Sequence, residues 1–95
     1  QKNLIMPQEK TYKKVVLKNK KTDKKSLVLY NDDVNTFENV INAIIKICKH
    51  STIQAEQCTW IVHFNGKCVV KKDEGNKLLP LCSAFIDRGI NASIE

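Results

Sequence analysis

The chain predicts a small α+β domain, a three-stranded sheet with three helices on one face, in the order β-α-α-β-α-β. Three observations predict it. At 95 residues there is material for one hydrophobic core and none for a second. Three stretches carry apolar residues at steps of three and four, as amphipathic helices do. Around them lie short β-rich runs bounded by Asn, Asp and Gly clusters. No internal repeat is visible.

Taken in order, residues 1–10 show no periodicity and read as disordered. Val15-Val16-Leu17 offers an additional N-terminal edge strand over residues 12–17, followed by a Lys-rich loop at 18–25. Leu27-Val28-Leu29-Tyr30 reads as a buried strand. It stops at Asn31-Asp32-Asp33, whose side chains favour turns by bonding nearby backbone. Phe37, Val40, Ile41, Ile44, Ile45 and Cys48 then make one apolar helix face, opened by the capping pattern Asn35-x-x-Glu38. A similar cap, Ser51-x-x-Gln54, opens a second helix with Cys58, Ile61 and Val62 inward, and Asn65-Gly66 stops it. Residues 67–71 read as a strand around Cys68-Val69-Val70, and Asp73-Glu74-Gly75-Asn76 as a turn. A third helix over residues 77–88 turns Leu78, Leu79, Cys82, Phe85 and Ile86 inward. Pro80 belongs in or near its first turn, where a missing N–H matters least, and Gly89 ends it. Ile90, Ala92 and Ile94 alternate with polar residues as a half-buried last strand. The second face of the sheet is expected to be partly exposed.

Composition narrows the function classes. Hydrophobic residues are 42% and charged residues 27%, an ordinary globular balance. Apolar runs are a few residues long against the ~20 of a membrane-spanning helix, so neither a membrane segment nor a signal-peptide core is expected. The net charge of +6 is unevenly placed. Residues 1–25 hold nine Lys against Glu9 and Asp23, a balance of +7, whereas residues 26–95 hold seven bases and eight acids, a balance of −1. The division is therefore a flexible Lys-rich tail, 1–25, and a nearly neutral core domain, 26–95. The tail lacks Arg and has Tyr12 as its only ring, so it is poorly made for stacking nucleic-acid bases. Cys48, Cys58, Cys68 and Cys82 form no Cys-x-x-Cys pair and have no His at zinc-finger spacing. They read as small buried hydrophobes in a reducing cytosol, with no metal and no cofactor. His50 and His63 are the only histidines, and no nucleophile elbow, phosphate loop or His-Glu-x-x-His is present. The chain is expected not to be an enzyme.

Taken singly, Asn31-Asp32-Asp33 is a turn and His63 is a helix-end histidine at the negative dipole end. Their combination is more specific. Leu27-Val28-Leu29-Tyr30-Asn31-Asp32-Asp33, followed further on by Ile61-Val62-His63-Phe64-Asn65-Gly66-Lys67, resembles the ClpS family, adaptors that deliver N-degron substrates to the AAA+ protease ClpAP. The family pattern is an apolar strand, Asn-Asp-Asp, two helices, then Val-His-x-x-Gly. The likeness spans residues 26–95.

The resemblance implies a non-enzymatic adaptor that holds the free α-amino group and bulky hydrophobic first side chain of a substrate. An α-ammonium has three N–H donors and a positive charge, so it needs about three acceptors, one of them anionic. By the motif match these are Asn31, Asp33 and His63, with Asp32 bonding the substrate backbone or bracing the turn. The side-chain pocket maps to Leu29, Asn35, Phe37, Val40, Thr59, Val62 and Ile90. After Asn-Asp-Asp the family usually reads Tyr-Thr-Pro-Met-Glu, and this chain reads Val34-Asn35-Thr36-Phe37-Glu38, so a ring replaces the gatekeeping Met. Thr59 stands where the family commonly has Met. The family's acidic-Thr-Lys docking surface is replaced by Lys72-Asp73-Glu74-Gly75-Asn76-Lys77-Leu78, and no docking residue carries over. The implied partners are N-degron proteins or peptides and the N-terminal domain of a ClpA- or ClpC-type unfoldase, with no nucleic acid and no membrane. The implied setting is a cytoplasmic monomer. Two readings compete: a divergent relative that binds protein without amine recognition, and an RNA-binding module using the basic tail.

Overall fold

A computed structural model of the chain describes residues 23–95. The edge strand expected at residues 12–17 and the disorder expected at 1–10 lie outside the described residues. The elements are β1 (Lys24–Tyr30), α1 (Phe37–Cys48), α2 (Thr52–Asn65), β2 (Lys67–Glu74), α3 (Gly75–Asp87) and β3 (Ala92–Ile94). The expected α+β class and order are found. β1 is the central strand of an antiparallel three-stranded sheet ordered β2-β1-β3.

β1 begins at Lys24, inside what reads as a Lys-rich loop, and β2 runs on to Glu74, through the first half of what reads as a turn. The two departures share a cause. Lys24 pairs with Glu74 and Lys25 with Asp73 across the strands, so opposite charges face each other and favour pairing. The Asp73–Asn76 turn does not exist; α3 starts directly at Gly75. The β1–β2 register shifts once, between Leu27 and Val28, with Leu27 opposite Lys71 and Val28 opposite Val69. Val70 is the extra residue of this β-bulge.

Leu27, Leu29, Cys68, Val70 and Ala92 of the sheet form one core with Val40, Ala43, Ile44, Cys48, Ala55, Val62, Leu78, Cys82 and Phe85 of the helices. The helices thus cover one face. On the other, Val69 is exposed but Val28 is buried.

Helix α1 is capped not by Asn35 but by Thr36, whose side chain accepts from the Asn39 amide. Helix α2 opens with the expected capping box of Ser51 and Gln54 and ends at Gly66, φ 91°. Its inner face is Ala55, Thr59 and Val62; Ile61, expected inward, is exposed. Thr59 is tolerated inside because its hydroxyl donates to the Ala55 carbonyl at 2.7 Å, which satisfies the donor locally. In α3, Leu78, Cys82 and Phe85 are buried, but Leu79 and Ile86 are exposed. Pro80 sits in the second turn of α3 because the helix starts two residues before the expected residue 77. Cys48, Cys68 and Cys82 are buried and all four cysteines are free thiols. Burial pushes the Cys48 thiol up to about 11 and that of Cys68 to about 12, so they act as hydrophobes rather than nucleophiles.

Candidate functional site

The end of β1 and the end of α2 meet. The Asn31 amide donates to the Gly66 carbonyl at 2.8 Å, which ties the Asn31-Asp32-Asp33 turn to the junction between α2 and β2. The positive φ at Gly66 turns the chain out of the helix there. His63, in the last turn of α2, is thereby brought beside the turn.

The turn is built by one of its two carboxylates. Asp32 Oδ1 accepts from the Val34 and Asn35 amides, each at 2.8 Å, and Oδ2 accepts from Asn35 Nδ2 at 2.9 Å. Asn35 Nδ2 also donates to the Gly89 carbonyl at 2.8 Å, and Asn35 Oδ1 accepts from Asn39 Nδ2. This explains the cap at Thr36, since the Asn35 side chain is already committed. The Asn35 amide, helped by its side chain and the Val34 amide, holds the Asp32 carboxyl below its usual range against the opposing effect of burial. Of the two roles open to Asp32 in the sequence, the structure provides the bracing one.

Asn31, Asp33 and His63 differ. Their side chains take no hydrogen bond among the described residues, and all three are exposed. They line a hollow of 290 Å³ together with Asp32, Asn35, Thr36, Phe37, Val40, Thr59 and Val62. A recess of 20 Å³ lies against it, sharing Asn31, Asp32, Asn35, Val40 and Val62 and adding Leu29, Tyr30 and Ile90. All the residues singled out in the sequence thus line this hollow or the recess that shares its wall. The buried lining is apolar (Leu29, Val40, Val62, Ile90, with Thr59), and the exposed lining holds acceptors and a carboxylate. Two lining residues escaped the sequence reading, Thr36 and Tyr30, because a cap and a strand end give no signal of facing a cavity. Phe37 stands at the rim, 6.3 Å from the His63 ring and edge-on to it.

The family model of the ATP-dependent Clp protease adaptor protein ClpS matches residues 20–84. The chain belongs to the ClpS family. The family is described as adaptors of that protease. Among solved structures, ClpS2 of Agrobacterium tumefaciens bound to L-phenylalaninamide is similar in fold, with a TM-score of 0.66 at 19% identity over 76% of this chain and 94% of that one. No curated protein matches. The described residues hold no helix long and apolar enough to cross a membrane and no cluster of metal-ligating side chains.

Proposed function

We propose that the hollow captures the free α-amino group and the bulky hydrophobic first side chain of N-degron substrates. The observation that carries the reading is the division of labour at the turn. Asp32 and Asn35 are consumed by structure, while Asn31, Asp33 and His63 present unused acceptors above an apolar wall. An ammonium group matches that mouth in donor number and charge: an amide oxygen, a carboxylate and a neutral imidazole nitrogen for three N–H donors. The first side chain enters past Phe37 and lies against Val40, Thr59 and Val62, with Leu29 and Ile90 beneath. The ligand of the Agrobacterium protein, L-phenylalaninamide, has the chemistry this hollow suits, a free amine next to a benzyl group.

The captured protein passes to the N-terminal domain of an AAA+ Clp unfoldase of the ClpA or ClpC type. The adaptor acts as a cytoplasmic monomer, and the Lys-rich residues 1–22 serve delivery rather than capture. Removing them leaves peptide affinity intact and lowers substrate degradation by the protease.

The test is calorimetric titration of short peptides differing only in residue one, with an N-acetylated control. Peptides starting with Leu, Phe, Tyr or Trp bind, and the acetylated control does not. An acetylated peptide that binds as well as the free one leaves amine capture without support and favours a relative that recognises protein in another way.

A further inference from the structure

Half of the chain's aromatic residues stand in one row beside the hollow, Phe37 half-buried and Trp60 and Phe64 exposed. The Phe37 and Trp60 ring centroids are 4.7 Å apart with planes at 60°. Trp60 lies parallel to Phe64 at 5.0 Å. Phe64 meets His63 edge-on at 5.3 Å. Trp60 is 50% exposed and Phe64 70%, and neither belongs to the core. Trp60, His63 and Phe64 fall at helical steps of three and four along α2, so they share its outer surface.

The row is continuous with the hollow, because Phe37 and His63 belong to both. A peptide whose amine sits at Asn31, Asp33 and His63 must leave the hollow over this rim. Its second Cα is ~3.8 Å from the first, and successive side chains of an extended chain point to opposite sides. The second side chain therefore points out of the hollow, on the side where Phe37 and His63 join the row. Toward the turn the hollow is lined by Asp33 and Thr36, and toward α2 it adjoins the aromatic row. The outward surface of Phe64 and the exposed edge of Trp60 remain free for a ring to pack against.

We propose that Phe37, Trp60 and Phe64 form a second-residue subsite, which selects an aromatic side chain immediately after the captured N-terminal residue. The inference rests on the amine-capture reading. Phe37 serves both sites, as gate of the hollow and first ring of the ledge. Trp60 and Phe64 serve the ledge alone and are specificity-determining residues for the peptide.

Fluorescence anisotropy with four labelled peptides tests it: Phe-Trp-Ser-Lys, Phe-Ser-Ser-Lys, Phe-Arg-Ser-Lys and the N-acetylated form of the first. On the wild-type protein the Phe-Trp peptide binds about 3- to 10-fold more tightly than Phe-Ser, the scale of one or two aromatic contacts. Trp60→Ala and, separately, Phe64→Ser bring that ratio toward one; Phe64 is so exposed that its replacement leaves folding untouched. The ratio is the readout because it is insensitive to any general loosening of the gate. Equal binding of both free-amine peptides overturns the subsite and leaves amine capture standing. A ratio that survives in both variants overturns the assignment to this row. An arginine at residue two preferred over tryptophan overturns the aromatic class. No binding by either free-amine peptide overturns both readings.

Discussion

Helices α1 and α2 pack on each other, are of similar length and both open on a hydroxyl cap, yet they place their apolar residues differently. α1 buries Val40, Ala43, Ile44 and Cys48, with Ile41 and Ile45 partly buried against the same core. α2 buries only Ala55, Thr59 and Val62, and leaves Ile53, Trp60, Ile61 and Phe64 in contact with water. The first helix is held by its core stripe. The second is held by three small or medium side chains and carries large ones outward, where they cannot be stabilising the interior. Large apolar residues that a helix does not bury are evidence about what the surface meets, not about how the chain folds.

Two substitutions probe that contrast directly. Ile44→Ala, at a fully buried position of α1, is expected to destabilise the domain by about 2–5 kcal/mol, because it leaves a cavity in the core. Trp60→Ala on α2 removes more atoms yet costs about 1 kcal/mol, the scale of its exposed ring contacts. Urea denaturation of both variants measures the gap, and equal losses break the contrast between the helices.

Asp33→Ala weakens binding of a Leu-starting peptide by about 1.5–3 kcal/mol, as expected for a hydrogen bond to a charged group, while leaving stability within about 0.5 kcal/mol. Calorimetry and denaturation on the same sample check both halves. Asp32→Ala reverses the pattern between neighbours. It loses the acceptor for two backbone amides and costs about 1–2 kcal/mol of stability at pH 7. The Asp32 carboxyl is held below its unfolded value in the native state, chiefly by the Asn35 amide. Its contribution is therefore present above about pH 4 and is lost as pH falls through the lower native value. Thermal unfolding between pH 7 and pH 3 should show the difference between wild type and variant shrinking in acid.

The smallest effect separates the two helix ends. α2 ends on Gly66, at φ 91°, but α1 ends on Lys49, at φ 61°, where a side chain is strained. Lys49→Gly is expected to stabilise by up to about 1 kcal/mol, and Gly66→Ala to destabilise by about 1–2 kcal/mol although an added Cβ meets nothing within 4 Å. Opposite signs in denaturant midpoints are the result to look for.

The contrast also says what sequence makes legible. Periodicity finds α1 because one stripe of it is apolar, and it misassigns Ile61, Leu79 and Ile86 because α2 and α3 carry apolar residues on more than one side. The Asp73–Asn76 segment looks like a turn by residue type. It is strand and helix because Lys24 and Lys25 stand across from Glu74 and Asp73, a relation between distant residues that local propensity does not contain. Asn35 looks like a cap and is instead drawn off by Asp32 and Gly89. The residues around the hollow were legible through the paired motif, since Asn31-Asp32-Asp33 and His63 stand at fixed places on elements that the patterns do locate. The aromatic row was not, because Trp60, His63 and Phe64 in a string read as ordinary helix; only the fold sets them beside Phe37.

The single bond from the Asn31 amide to the Gly66 carbonyl makes the proposed binding site a property of the whole domain. Neither half of the motif can hold ligand before β1 has found β2, so a partly folded chain has no affinity to offer. Occupancy then stabilises only the native state, by RT ln(1 + [L]/Kd), and melting temperature becomes a direct titration of ligand. Local opening obeys the same link. If the Asn31 amide exchanges with solvent hydrogen only when the turn lifts from the end of α2, ligand should slow that one exchange in proportion to occupancy. The backbone N–H of Asn31 is in this sense a clock hand for the site, read without touching any side chain that meets the ligand.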